Sequence, residues 1–468
     1  MEIQDAEKAD ALGTRIALLT PYTGGNLGDA AIQDSMIANL RQRMPNAQFM
    51  GATLDCDNFL KQHGSGAFPL LASTRRLSHG SNGVLAGQSG RNEQEDRPKF
   101  PEPRRWSNRI KRAVRLVPGL TVFLKGVRAW MKLIVRELTH SFEAYHFLRT
   151  QDLLIISGGG QLDEEWGGAW VFPFALFKWA LLARLAGVPC AAASVGVGKT
   201  NSPTSRLFFS LALRMCCYRS YRETKSRAIV KGLLRRAAND PVVPDMAFSL
   251  PDSEFPPSTG DIRKVAGGRP VVALSPIAFG KPGNWPSPDR TLHDRYVREL
   301  ARVLSCLVRR GYFPVVVCSS LGDDESVVPD LVALLDGETK KESLQERVHF
   351  PKVRTWRDFV ATLLEADYLI ASRLHGTILG FMTQTPTVAI SFDPKVDWVM
   401  EDLDQTGCLL QIRDFTAEGV LSALDGVKER RDAVLGQIAS FRTIALSRSA
   451  RQYDVLAQLA LGRHRRKN

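Results

Sequence analysis

The chain has little of what marks a secreted, metal-binding or membrane-spanning protein. Its 468 residues include seven cysteines, with one adjacent pair and no CxxC, which excludes a zinc site and a disulfide framework. No apolar run reaches the roughly 18 residues of a membrane span. The first ten residues, MEIQDAEKAD, lack the basic and then apolar start of a signal peptide. We therefore expect a cytoplasmic protein whose thiols are reduced and mostly buried.

Signatures of several common chemistries are missing as well. The glycine-rich turns match neither GxGxxG nor GxxxxGK[ST], so neither a dinucleotide nor a P-loop nucleotide is indicated. No GxSxG turn is present, which leaves a hydrolase triad without local support. The histidines have no HExxH or comparable spacing. The sequence therefore predicts no metal and no cofactor.

What is present is a regular alternation of buried strands and amphipathic helices. Hydrophobic residues make up 44% of the chain, enough for a core of normal size. Apolar runs such as 15–20, 152–156 and 269–279 each lead into a loop and a helical segment, which is typical of parallel α/β sheets. We predict two Rossmann-like α/β domains facing a cleft. The predicted parts are a disordered tail at 1–13, an N-terminal α/β domain at 14–256 with an insertion at 61–148, a C-terminal α/β domain at 257–426, and helices with a basic tail at 427–468.

The predicted insertion carries most of the positive charge. The formal net charge is +13, and residues 75–136 hold 15 basic and four acidic side chains. The remainder is nearly neutral, so we expect no nucleic-acid partner. Between Leu120 and Leu138, apolar residues share one helical face beside a basic stripe. Such a helix suits an anionic membrane surface, or it packs on the core with its charges solvated.

Two glycine-rich turns follow predicted strands near the N-terminal side of the cleft. The turn from Gly24 to Asp29 opens a helix, where backbone N–H groups can hold an anion, or it is simply a tight turn. We expect Asp29 to cap this helix. The turn from Ser157 to Gly160 is followed by Asp163, a pattern that suits sugar hydroxyls or a flexible turn with solvated acids.

A third junction, from Ala371 to Thr377, brings Arg373 and His375 to the end of an apolar strand. Arginine offers a fixed fork of donors to phosphate or carboxylate, and histidine transfers protons near neutral pH. Ligands of open α/β sheets bind beyond the carboxyl ends of the strands. Arg222 either points into the same cleft or pairs with Glu223, and Asp245 gives no assignment by itself.

Taken in order, five segments resemble the polysaccharide pyruvyl transferase family. The resemblance covers about 14–60 and 150–410, and the family usually has Arg-Asp where this chain has Arg222-Glu223. The matching pieces are Asn26-Leu27-Gly28-Asp29, Asp152 with Ser157-Gly158-Gly159-Gly160, Tyr221-Arg222-Glu223 with Ser226, Pro244-Asp245-Met246-Ala247-Phe248, and Ser372-Arg373-Leu374-His375-Gly376 with Pro386 and Lys395.

The resemblance implies a GT-B-like fold and a specific transfer reaction. A pyruvyl group would pass from the co-substrate phosphoenolpyruvate to two hydroxyls of a sugar, on a polysaccharide or lipid-linked precursor, and form a cyclic ketal. The acceptor and the basic segment 75–138 would place the enzyme at the inner face of the plasma membrane. A GT-B nucleotide-sugar glycosyltransferase and a non-catalytic membrane scaffold are the alternatives.

The expected site residues fall into two groups. His375 would act as acid/base, with Arg373 and Arg222 as the other catalytic residues. The donor would contact Arg222, Arg373, Leu374, His375 and Gly376. The acceptor would lie against Asn26, Gly28, Asp29, Gly159, Gly160 and Asp163.

Overall fold

The computed structural model describes residues 13–21, 24–72, 120–165, 167–338 and 347–467. Except for Gly13, the predicted N-terminal tail lies outside these ranges, as does the segment 73–119, which holds most of the predicted basic insertion. Within the described residues, two parallel sheets are flanked by helices, which confirms the predicted α/β class.

The first sheet has seven parallel strands among the described residues. Their order is β3-β2-β1-β4-β6-β5, with β7 also paired to β6. The strands β4 and β6 are buried along their whole length, as expected where helices cover both faces. The strands are β1 Arg15–Leu19, β2 Gln48–Thr53, β3 Gly66–Pro69, β4 Leu153–Ile156, β5 Gly159–Leu162, β6 Cys190–Val197 and β7 Tyr218–Tyr221.

The second sheet has five parallel strands in the described part of the chain, in the order β12-β11-β10-β8-β9. The central strands β8, β10 and β11 are fully buried. Their carboxyl ends face the first sheet across a cleft, where the loops of both sheets touch. The strands are β8 Val271–Ser275, β9 Phe313–Val316, β10 Tyr368–Ala371, β11 Thr387–Ser391 and β12 Leu409–Gln411.

Helices connect and cover the strands. The helices that matter most for the site are the one after β1 and the one after β10, because both begin at the cleft. The described α-helices are α1 Leu27–Arg43, α2 Cys56–His63, α3 Leu120–Thr150, α4 Phe172–Leu185, α5 Pro203–Met215, α6 Thr224–Leu233, α7 Asp261–Ala266, α8 Arg290–Arg309, α9 Val328–Glu338, α10 Trp356–Leu364, α11 Leu374–Met382, α12 Pro394–Asp402, α13 Ala417–Glu429 and α14 Arg431–Lys467.

The start of the predicted insertion, 61–148, differs from the structure. Helix α2 continues to His63, and Gly66–Pro69 forms edge strand β3, which pairs with β2. A four-residue strand that contains glycine and proline carries almost no strand signal, which is why the sequence pattern missed it. Helix α3, predicted for 120–138, runs on to Thr150, and its residues Ala144 and Leu148 are buried in the core of the first domain.

The C-terminal helix returns to the first sheet. Tyr453 of α14 is fully buried, and its hydroxyl lies 3.0 Å from Ser249 Oγ. Near the end of the chain, His464 Nδ1 lies 3.0 Å from Asp152 Oδ2, beside β4. The predicted basic tail is therefore, as far as Lys467, the last turns of a packed helix. No helix in the described ranges has the length and apolar character needed to cross a bilayer.

Candidate active site at the cleft

The loop that follows β1 forms a bridge between the two domains. Leu27 N–H donates to the Ser319 carbonyl over 3.1 Å, and Leu321 N–H donates to the Gly25 carbonyl over 2.7 Å. Ser319 and Leu321 belong to the loop that follows β9. The glycine-rich turn thus brings the first turns of α1 and α11 face to face.

His375 lies in the first turn of α11 and reaches across the cleft. A β-carbon built on Gly28 would lie 2.0 Å from the Cβ of His375, so the imidazole uses the space that glycine leaves free. His375 Nε2 is 3.6 Å from Asp245 Oδ2, and Nδ1 is 4.0 Å from Asp29 Oδ1. The ring is buried between two carboxylates of the opposite domain, and Nε2 has no hydrogen-bond partner among the described residues.

Asp245 joins His375 to Arg222. It is 1% exposed, and its Oδ1 accepts a hydrogen bond from Ala247 N–H over 3.0 Å. Burial acts to raise the pKa of Asp245, but His375, Arg222 and the Ala247 amide together lower it to about 2. Asp245 is therefore a carboxylate at neutral pH. Its sequence context gave no assignment, because the cluster forms only when distant segments meet.

Arg222 follows β7 and is buried at the floor of the cleft. Its Nε donates to Glu223 Oε2 over 2.8 Å and its Nη1 to Asp245 Oδ2 over 3.2 Å. The sequence left two alternatives for Arg222, a position in the cleft or a pair with Glu223. The structure shows both, because Arg222 pairs with Glu223 and also contacts Asp245 beside His375. Its Nη2 is buried without a hydrogen-bond partner among the described residues. Arg222 therefore keeps one buried N–H donor that forms no hydrogen bond within the described part of the protein.

Arg373 is the N-cap residue of α11, and Asp324 holds its side chain. Nε and Nη2 donate to the two carboxylate oxygens of Asp324 over 2.6 and 2.8 Å. Burial acts to lower the pKa of Arg373, but the adjacent Asp324 charge outweighs this effect and raises it. Sequence reasoning missed Asp324, whose available signal was an acidic cluster directly after β9.

The remaining predicted donor residues belong to the same turn. Leu374 begins α11 and is partly buried against the core. Gly376 lies above Ser275 and Ser319: a β-carbon there would be 3.5 and 3.6 Å from their hydroxyl oxygens. The predicted donor residues 373–376 are thus grouped at the cleft, and Arg222 faces them through Asp245 and His375.

Asn26, and not Asp29, caps α1. The Asn26 Oδ1 accepts from Gly28 N–H over 3.1 Å, so the expectation that Asp29 caps the helix was wrong. The helix begins three residues earlier than the sequence pattern indicated, because asparagine provides an equally good capping oxygen. Asp29 instead lies in the first turn and faces His375, and burial raises its pKa above the ordinary value.

The other predicted acceptor residues lie beside Asp29 and farther along the same cleft. Gly159 has a left-handed φ of +84°, and a β-carbon there would lie 3.6 Å from Asp29 Oδ1. Asp163 Oδ2 lies 3.5 Å from Lys395 Nζ of the second domain. A β-carbon on Gly160 would lie 3.7 Å from the same Nζ. Lys395 therefore contributes a positive charge that was not among the predicted site residues.

A family model for polysaccharide pyruvyl transferases matches residues 26–394, which is most of the chain. The chain belongs to the polysaccharide pyruvyl transferase family. The match spans every site residue described above except Lys395. Membership supports a transferase that acts in polysaccharide biosynthesis. No sequence among the curated proteins matches this transferase.

Solved structures show the same fold at very low sequence identity. The Staphylococcus aureus protein MnaA, solved with UDP, is 9% identical with a TM-score of 0.50, over 91% of this chain and 90% of MnaA. A Listeria monocytogenes protein named as a UDP-N-acetylglucosamine 2-epimerase is 9% identical with a TM-score of 0.53, over 91% of both chains. These similarities confirm the GT-B-like arrangement of two Rossmann-like domains.

In the described ranges, no group of three or more His, Cys, Asp or Glu side chains is close enough to hold a metal ion. Three carboxylates of the cleft are paired with cations: Asp245 with Arg222, Asp324 with Arg373, and Asp163 with Lys395.

Proposed function

We propose that the enzyme transfers a pyruvyl group from phosphoenolpyruvate to two hydroxyls of a sugar, in a polysaccharide or a lipid-linked precursor, and forms a cyclic ketal. The observation that carries the proposal is His375, which lies in the cleft between Asp245 and Asp29 with Arg222 close by. A donor with both a phosphate and a carboxylate requires two cationic groups. Arg222 and Arg373 supply one from each domain.

In the proposed reaction, His375 gives a proton to the methylene carbon of phosphoenolpyruvate. The cationic centre at C2 accepts the first sugar hydroxyl, and the imidazole recovers the proton that this hydroxyl loses. Phosphate then leaves with the C–O bond electrons, and the second hydroxyl bonds to C2. The proton of the second hydroxyl goes to phosphate, so the products are the ketal and orthophosphate. Acid–base catalysis of this kind contributes roughly 10²–10⁴ in rate.

The sugar would occupy the side of the cleft that contains Asp29, Gly159, Gly160 and Asp163. The two glycines leave room for a ring, and the carboxylates accept hydrogen bonds from hydroxyls. Burial raises the pKa of Asp29, as is common for carboxyl groups at functional sites, and places this group where it can hydrogen-bond to an attacking hydroxyl.

Donor identity can be tested by thermal-shift titration with phosphoenolpyruvate and with UDP- and GDP-sugars. A ligand at about 100 times its Kd stabilises the folded state by roughly 2.7 kcal/mol. We expect a rise with phosphoenolpyruvate that is lost in Arg373→Ala. A rise with a nucleotide sugar alone would favour the glycosyltransferase alternative, for which the UDP bound to MnaA is the supporting observation.

We also propose that α3 associates with an anionic membrane. From Met131 to Leu138 nearly all side chains are exposed, with Met131 at 59% and Leu138 at 65%. Phe142 is 66% exposed, and Lys132 and Arg136 lie in the same stretch. Apolar side chains beside cations suit a lipid surface. Of the rest of the segment 75–138, residues 75–119 lie outside the described ranges. Residues 120–130 are described as part of the helix, but their side chains are not.

Membrane association can be tested by sedimentation with anionic liposomes. The double variant Lys132→Glu/Arg136→Glu should lose most binding and leave phosphoenolpyruvate binding intact. Its control is Lys264→Glu/Arg290→Glu, which reverses two exposed charges in the second domain. Wild-type binding should fall as salt rises. If the Lys132→Glu/Arg136→Glu variant and its control bound the liposomes equally well, the proposed role of α3 would be refuted.

A further inference from the structure

Two buried serine hydroxyls at the cleft have no hydrogen-bond partner among the described residues. Ser275 ends β8, and Ser319 follows β9, the neighbouring parallel strand. Each residue is 1% exposed, and each Oγ is unpartnered. Buried hydroxyls are nearly always hydrogen-bonded, so two unpartnered ones at the same edge of a sheet are candidates for ligand binding.

Both hydroxyls face the first turn of α11. The Gly376 position lies about midway, with its built β-carbon 3.5 Å from Ser275 Oγ and 3.6 Å from Ser319 Oγ. Helix α11 has nine residues, and no side chain caps its N-terminus. The N–H groups of the first turn of a helix have no carbonyl partner within the helix, and the helix dipole adds a partial positive charge at this end.

We infer that Ser275, Ser319 and the first turn of α11 form a phosphate subsite. Phosphate oxygens accept hydrogen bonds, and this set offers donors: two hydroxyls and the N-terminal amides of a helix. The neighbouring Arg373 adds a positive charge that Asp324 holds in a fixed orientation.

Applied to phosphoenolpyruvate, the subsite sets the orientation of the donor, and this step rests on the proposed function. The phosphate lies in the second domain, against the serines. The carboxylate then faces Arg222 of the first domain, whose Nη2 is buried and unpartnered among the described residues. His375 lies between the two ends. A nucleotide sugar would bring a diphosphate to the same serines, so the shared ligand chemistry is a phosphoryl group.

The test is isothermal titration calorimetry with phosphoenolpyruvate, orthophosphate and UDP as ligands. The proteins compared are the wild type, Ser275→Ala, Ser319→Ala and the double variant. Hydrogen bonds to charged groups are the stronger ones, so each single change should weaken phosphoenolpyruvate binding roughly tenfold and the double change more. Ser391→Ala is the matched control. It ends β11 at the same edge of the sheet, and its hydroxyl already donates to the Asp393 carbonyl.

A second measurement separates a ligand role from a structural one. Because the hydroxyls make no bond within the described protein, the alanine variants should melt, without ligand, at or above the wild-type temperature. A lower melting temperature with unchanged phosphate affinity would overturn the inference.

The outcomes also separate this inference from the donor proposal. Serine-dependent binding of UDP without phosphoenolpyruvate binding would support the subsite and contradict the donor. Phosphoenolpyruvate binding that is equally strong in the double variant would support the donor and contradict the subsite. Wild type that binds none of the three ligands contradicts both.

Discussion

Gly28 and His375 come from opposite domains, and their contact leaves no room for a β-carbon on Gly28. In Gly28→Ala, the new methyl group would lie 2.0 Å from the His375 Cβ and would displace the imidazole. We expect turnover to fall about 100-fold or more, since misplacement of a catalytic group by about 1 Å has such an effect. Steady-state kinetics with phosphoenolpyruvate and a glycan acceptor provide the measurement.

The control for that change is Gly232→Ala, also within a helix. A β-carbon there meets no atom within 4 Å. It should leave activity unchanged and stabilise the helix slightly. Equal turnover in both variants would mean that the imidazole position does not limit the reaction.

Asp245 makes stability depend on pH in the acid range. Its pKa falls from an ordinary 3.8 to about 2 in the folded protein. A carboxyl with a lowered pKa stabilises the fold above its unfolded pKa, and this contribution is lost as pH falls towards the folded value. We expect about 2 kcal/mol from this group, lost between roughly pH 4 and pH 2.

Urea unfolding of wild type and Asp245→Asn at several pH values measures this contribution. The stability difference between the two should shrink as pH falls through that window. A difference that is the same at pH 5 and pH 2.5 would contradict an ionised Asp245 held by His375 and Arg222.

At the scale of single residues, the sequence pointed to Arg222, Arg373 and His375 as candidate site residues but not to the carboxylates that contact them. Arg222 and His375 lie 153 positions apart and meet only through Asp245. Asp324 and Lys395 were likewise not assigned. In the sequence, a carboxylate that follows a short apolar segment cannot be distinguished from an ordinary surface acid. Its role is visible only when the distant segment that it contacts is known.

The long C-terminal helix connects the two domains by packing on α1 and on the segment Met246–Ser249 of the first domain. Tyr453 is fully buried and bonded to Ser249, and Arg43 of α1 lies over its ring. Tyr453→Ala should lower the free energy of unfolding by about 3–5 kcal/mol, and Tyr453→Phe by about 1 kcal/mol.

Urea unfolding checks these values, with Leu446→Ala as the control. Leu446 belongs to the same helix but is 40% exposed, so its truncation should cost much less. A Tyr453→Ala variant as stable as the control would show that α14 does not pack on α1 and on Ser249 in solution.

At the scale of elements, the buried strands could be predicted because their apolar runs and flanking turns are local signals. Segments such as Leu153–Ile156 and Tyr368–Ala371 are strands in the structure. Edge strand β3 could not be predicted, because four residues with glycine and proline have no pattern. The helical character of α14 was predicted. The spacing of its apolar residues indicates which face of the helix is buried, but it does not indicate which part of the protein covers that face.

At the scale of the whole molecule, the two domains meet in a closed arrangement. Besides the bridge at Gly25 and Leu27, Asp34 of α1 accepts from Trp356 Nε1 over 2.7 Å and from Arg357 Nη1 over 3.0 Å. The two-domain α/β architecture followed from the strand–helix alternation. These contacts between domains did not, because they join segments whose separation in sequence carries no signal.

We propose above all that this cleft transfers a pyruvyl group from phosphoenolpyruvate. The most direct measurement incubates the enzyme with carbon-labelled phosphoenolpyruvate and cell-envelope glycans, and follows both label in the glycan and released orthophosphate. We predict equal amounts of acid-labile pyruvyl ketal and phosphate in wild type, and a fall of roughly 10²-fold or more in His375→Ala. Unconsumed phosphoenolpyruvate, with sugar transferred instead from a UDP- or GDP-sugar, would contradict the account.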